Sequence, residues 1–203
     1  YFLYNFYSKI YKSNLSEDMT LYISSKSNFE TVLENISPFL KNLSSFKWVA
    51  EKKNYPNIIK AGKYDLKKGS NNNDLVNLLR SGNQTPVKLS FNNQETLEKL
   101  AGRIAEQIEP DSITILNSLK DASFLKKNNF TKKTALGMYI PNSYQVYWST
   151  SPEKFRSKML NEYMKFWTSA KKEKAKQQNL TINQVITLAS IIQKETASVS
   201  ERP

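Results

Sequence analysis

Histidine and cysteine are both absent from the 203 residues. Ser-His-Asp and Cys-His nucleophile systems, His/Cys zinc sites and disulfides are therefore excluded within the chain. Any catalysis must run on carboxylates, hydroxyls, amides or lysine. Glycine is scarce, at five residues, and neither a P-loop nor a G-x-G-x-x-G pattern occurs, so no loop is built to cradle phosphate. Acidic residues are also few: 18 against 30 basic ones, a net charge of +12 carried mostly by lysine. That balance suits an anionic neighbour such as a membrane surface, a cell-wall polymer or nucleic acid. A general Lys/Asn bias in composition explains the same excess, and no nucleic-acid motif accompanies it.

The opening stretch YFLYNFYSKIYKSN is dense in aromatics and ends in lysines, as a membrane-interface belt does. It is too short and too polar to span a bilayer. Because the chain lacks an initial methionine, a transmembrane helix just upstream is one expectation. An amphipathic helix packing Phe2, Phe6 and Ile10 on a neighbour is the other. From Met19 the pattern reads strand (MTLYI), helix capped by Ser27 (SNFETVLENI), helix over 43–53, strand (NIIKAGKYDL), helix closed by Gly82 (DLVNLLRSG) and strand (TPVKLSF). This describes a small α+β module without a catalytic cluster.

Asn92 or Asn93 then caps an amphipathic helix, QETLEKLAGRIAEQI, and two shorter helices follow Pro110-Asp111. A short strand in ALGMYI meets a turn at Pro141-Asn142-Ser143, after which Tyr144, Tyr147 and Trp148 arrive close together. Aromatics beside amides and hydroxyls suit a saccharide groove, because sugar rings stack on aromatic faces. An aromatic core hairpin fits the same residues. Pro152 starts a helix expected to run unbroken through KKEKAKQQ.

The stretch TINQVITLASIIQKETASVSE is the strongest candidate for chemistry. Thr181 and Gln184 form a capping-box pair. Ile182, Val185, Ile186, Leu188, Ala189, Ile191 and Ile192 cover an arc wide enough to need burial in the middle of a domain. Glu195 projects between Leu188 and Ile191 at the edge of that arc, where partial desolvation raises a carboxyl pKa and makes a general acid. A helix-end glutamate reaching water fits the position equally. Gln193 lies on the other side of the arc and, as a neutral amide, can orient a substrate but not protonate it.

LASIIQKETASVSERP resembles the signature of the YceG-like endolytic murein transglycosylases, the MltG family. Three more segments are similar to that family in order: AGKYDLKKGSNNNDLVNLLRSG, VKLSFNNQETLEKLAGRIAEQ and YIPNSYQVYW. The resemblance implies an α+β chain with a membrane-proximal segment (1–16), a LysM-like subdomain (17–90) and the helix-rich first part of a YceG-like catalytic domain (91–203), with more of that domain beyond Pro203. It implies a single-pass protein of the cytoplasmic membrane that faces outward and needs no metal or other cofactor. Its expected partners are peptidoglycan glycan strands, the membrane through an upstream helix, and peptidoglycan synthases, with no nucleic acid.

The implied reaction cuts between N-acetylmuramic acid and N-acetylglucosamine and leaves a 1,6-anhydro end. Glu195 matches the catalytic glutamate; Gln193, Tyr144, Tyr147, Asn142 and Glu201 are the expected substrate-binding or supporting residues. Gln193 departs from the family pattern, which commonly has an acid there. An alternative follows from that departure: a non-catalytic peptidoglycan-binding or scaffold protein of the same fold.

Overall fold

The computed structural model describes residues 2–195. The chain divides into two compact units: Tyr1–Leu89, Gln107–Glu109 and Tyr144–Thr150 form one, and Ser90–Glu106, Pro110–Ser143 and Ser151–Pro203 form the other.

The first unit runs α1 (Phe2–Tyr11), β1 (Met19–Ile23), α2 (Phe29–Ile36), α3 (Leu43–Lys52), β2 (Gly62–Leu66), α4 (Asn72–Ser81) and the start of β3 (Val87–Phe91). β1 and β2 pair antiparallel, with Leu21 opposite Tyr64 and Met19 opposite Leu66. Alternation buries Leu21, Ile23, Tyr64 and Leu66 against α2, α3 and α4, while Thr20 donates across the strands to Asp65 at 2.7 Å. α2 is capped by Asn28 rather than the expected Ser27. The Ser27 hydroxyl instead accepts from the Ser24 amide and closes the preceding turn. α4 ends on Gly82 in the left-handed region (φ 73°), as its sequence predicts.

α1 packs against α3 and α4; Phe6 meets the Trp48 ring edge-on at 5.3 Å, and Ile10 joins the core. Beneath it lies a polar knot. Asn72, 1% exposed, donates to the Lys9 carbonyl and to Ser45 Oγ and accepts from Asn14 Nδ2 at 2.7 Å. Asn14 also donates to the Asn42 carbonyl and accepts the Asn42 amide. Both buried side-chain amides, Asn14 and Asn72, are hydrogen-bonded, which offsets the cost of taking them out of water.

The second unit holds α5 (Leu97–Ala105), α6 (Ser112–Leu119), α7 (Ala122–Lys127), α8 (Pro152–Phe166), α9 (Ser169–Gln177) and α10 (Ile182–Glu195). β4 (Asn142–Val146) pairs with β3, and its residues from Tyr144 onward belong to the first unit. α5, α6 and α8 bury Leu100, Ile104, Ile115, Leu119, Phe155 and Met159. α5 starts at a Thr96 cap, later than the expected Asn92 or Asn93, because Gln94 Nε2 folds back on the Asn92 side chain at 2.6 Å and competes with a helix start. The expected strand in ALGMYI is a 3₁₀ turn, Ala135–Met138, held by the Gly137 amide on the Thr134 carbonyl and the Tyr139 amide on the Leu136 carbonyl. The turn expected at 141–143 is the beginning of β4.

The helix expected to run unbroken from Pro152 is two helices. Thr168 accepts the Lys171 amide as a fresh N-cap, and Trp167 at the break is buried. Arg156 on α8 is also buried: it donates to the Ser118 carbonyl, lies 3.9 Å from the Phe124 ring centroid and sits 3.7 Å from Asp121. The Ser123 hydroxyl, the Phe124 amide and then Arg156 hold the Asp121 carboxyl below its ordinary value of 3.8.

Asn72→Ala removes the bonds to the Lys9 carbonyl, to Ser45 Oγ and from Asn14 Nδ2 in a buried site, and is expected to cost about 2–3 kcal/mol in denaturant unfolding. Asn73→Ala, next door but half-exposed, is expected to cost no more than about 0.5 kcal/mol. Because the folded pKa of Asp121 is depressed, its contribution is fully present above pH 3.8 and is lost as pH falls below it. Thermal melts are therefore expected to show Asp121→Asn less stable than the parent at neutral pH, with the two curves converging below that value.

Candidate functional site

α10 opens as its sequence predicts: the Thr181 amide donates to Gln184 Oε1 at 2.8 Å, and the Gln184 amide donates to Thr181 Oγ1 at 3.3 Å. One face of the helix docks where Gly137 offers no side chain. A Cβ there would come within 3.2 Å of Ile186 Cγ2, so the glycine permits the close approach.

The docking leaves a groove of about 790 Å³ inside the second unit, bounded by residues 91–94, residues 133–141, the α8/α9 junction and α10. Its aromatic residues are Phe91, Tyr139 and Trp167, all buried, and Phe166, which is 43% exposed. Amides face it from Asn93, Gln178, Asn183 and Gln193, and lysines from Lys133, Lys171 and Lys174. No aspartate or glutamate lines it among the described residues. Ring faces with amide donors and acceptors can hold a flat, hydroxyl-bearing ring by stacking and directional hydrogen bonds. Tyr139 stacks on Phe155, and burial raises its phenol pKa although Arg156 pulls the other way, so it stays neutral.

Of the residues singled out in the sequence, Gln193 lines the groove, and Asn93 Nδ2 donates to its amide oxygen across the gap between residues 92–94 and α10. Glu195 does not line it. Positions i and i+2 on a helix are about 200° apart, so a Gln193 that faces the groove turns Glu195 away. Glu195 is exposed, on a stripe with Leu188 (48% exposed), Ile191 (52%) and Ile192 (37%). The expected burial of the full apolar arc is thus not what the described residues show. Only the Ile182/Val185/Ile186 side is partly covered among the described residues.

Asn142 is exposed at the start of β4, where its Oδ1 accepts the Ser143 amide. Tyr144 and Tyr147 belong to the first unit. Tyr144 is buried like a core residue, and Tyr147 is 52% exposed; the neighbouring Trp148 ring meets Tyr22 edge-on at 5.0 Å. Glu201 lies outside the described residues.

Sequence reasoning missed Phe91, Tyr139, Trp167 and the α9 lysines as groove residues. Trp167 followed by Thr168 was the available signal, since a hydroxyl that can cap a helix marks a break that brings α9 back on α8. Among the described residues no three His, Cys, Asp or Glu side chains converge to hold a metal, and no helix is long and apolar enough to cross a membrane.

The chain is 28% identical over 223 residues to the endolytic murein transglycosylase of Streptococcus pneumoniae strain R6, and equally to that of strain D39 over 220 residues. These alignments cover 94% of this chain but 39% of each relative. A crystal structure described as a yceG-like protein from Listeria monocytogenes superposes with a TM-score of 0.53 at 22% identity, over 92% of this chain and 67% of that one, and shows the same fold. The YceG-like family profile matches residues 21–203, and with the capped α10 and the segments preceding it so matched, the chain belongs to the YceG-like family.

Proposed function

We propose that the protein is an endolytic peptidoglycan lytic transglycosylase, cutting nascent strands between N-acetylmuramic acid and N-acetylglucosamine and leaving 1,6-anhydro ends. The observation that carries this reading is the YceG-like match over residues 21–203, supported by the names of the pneumococcal relatives; the aromatic and amide-lined groove with α10 as one wall supports glycan binding.

Glu195, at the end of α10, is the proposed acid. Hydrolytic glycosidases usually need two carboxylates. A lytic transglycosylase manages with one, because the C6 hydroxyl of the muramic acid supplies the attack. Protonated Glu195 gives its proton to the glycosidic oxygen as that bond breaks. As carboxylate it then takes the proton of the C6 hydroxyl while the anhydro ring closes. Gln193, on the groove wall, orients the strand.

A place at the outer face of the cytoplasmic membrane, anchored by an upstream helix and near peptidoglycan synthases, completes the proposal. Its support is the exposed Tyr4, Tyr7 and Tyr11 on α1 with Lys9 and Lys12 beside them, the make-up of a membrane-interface belt. A second reading, a non-catalytic peptidoglycan binder, is favoured by one observation: among the described residues the groove wall presents Gln193 and no acid.

Incubating the full-length protein with nascent glycan strands and counting anhydro-muramic ends by mass spectrometry separates the two. Glu195→Gln is expected to lower the rate by about 100- to 10,000-fold. Activity that survives the change overturns the assignment of Glu195. An inactive parent that gains activity on Gln193→Glu moves the acid to position 193 and supports the second reading for the natural chain.

A further inference from the structure

The groove of the second unit carries charge that a neutral sugar does not require. Lys133, Lys171 and Lys174 line it without an aspartate or glutamate among the described residues. Elsewhere in the unit, Lys99 pairs with Glu95, Lys120 with Glu98 and Lys165 with Glu162. Neither Lys133 nor Lys174 has an acidic partner among the described residues. Lys171 is held by an aromatic face instead, its Nζ 3.4 Å from the Phe166 ring centroid. Lys171 and Lys174 stand three residues apart on α9, so both project from one face of the helix.

A wall that offers stacking surface and amides together with unneutralised ammonium groups complements a saccharide that also bears acid. We propose that Lys171, Lys174 and Lys133 are specificity residues that select glycan strands carrying carboxylates over neutral ones. The proposal rests on the glycan-binding reading above and deepens it. Two sources supply the same chemistry on a peptidoglycan strand: the free lactyl carboxylate of a muramic acid without a peptide, and the carboxylates of an attached stem peptide. Lysine suits either, because it pairs as a point charge and needs no bidentate geometry. Exposed pairs of this kind are weak singly and screened by salt, so the preference is additive over the lysines and fades as ionic strength rises.

The test is equilibrium binding of the full-length protein, at several salt concentrations, to a neutral chito-oligosaccharide, to strands stripped of peptides by an amidase, and to strands with uncrosslinked peptides intact. Carboxylated strands are expected to bind more tightly than the neutral oligomer at low salt. Each lysine is expected to contribute about two- to fivefold, so Lys171→Gln with Lys174→Gln loses about tenfold on carboxylated strands and nothing on the neutral one. The corresponding double arginine variant keeps the preference, and Lys154→Gln, exposed on α8 outside the groove, changes nothing. The strand form that shows the loss identifies the carboxylate.

An equal loss on the neutral oligomer, no loss on any strand, or tighter binding of single-stranded nucleic acid than of any glycan overturns the proposal. Glycan binding without charge preference overturns this inference alone; no binding to any glycan overturns the glycan-binding reading with it.

Discussion

Short helices without disulfides to staple them depend on how their first turns are closed, and here a side-chain oxygen closes them repeatedly. Asn28, Asn42, Asn71, Thr96, Asp111, Asp121, Ser151, Thr168 and Thr181 each accept an amide three residues on. Asparagine also stands in for the scarce glycine. Asn54, Asn129 and Asn179 occupy left-handed backbone positions, which asparagine tolerates better than other residues with a side chain. Asn14 and Asn72 form the buried knot that joins α1, α3 and α4. An asparagine content that reads as compositional bias is therefore doing structural work throughout the fold.

The caps also decide where the groove lies. Thr168 ends one helix and begins another, which turns Trp167 inward and sets α9 with its lysines along the groove. Thr181 begins α10, and Gly137 lets Ile186 approach closely. From those two junctions a cleft follows with aromatic rings, amides and positive charge but no acid among its described lining. Asn183 and Gln193 stand on the groove side of α10, and Glu195 stands on the opposite side of the same helix. The groove and Glu195 thus lie on different sides of one helix, and the chain spans about two fifths of the length of the pneumococcal relatives it matches.

Much of the architecture was legible because it is local. The α4 helix with its Gly82 stop, the alternation of β1 and the Thr181-Gln184 box each rest on residues within one or two turns of one another. The misreadings were local too. Ser27 lost a competition with Asn28, Gln94 with Asn92 delayed α5, and Thr168 broke a helix whose apolar spacing ran on through Phe166. In each case several hydroxyl or amide side chains could claim the same backbone groups, and sequence does not rank such claims.

By itself the sequence determined what chemistry is possible: with no histidine or cysteine, only carboxylates, hydroxyls, amides and lysines are available, and the ordered segments carry the family resemblance. It also determined the two sides of α10, since residue spacing alone separates Gln193 from Glu195. Only the tertiary structure decided which side faces a groove, that Tyr144 is buried while Tyr147 is exposed, and that Lys171 and Lys174 line the same cleft as Gln193. The reason is physical: periodicity fixes the angle between side chains on one element, but burial and charge pairing depend on which other element packs against it, and those contacts join residues far apart in the chain.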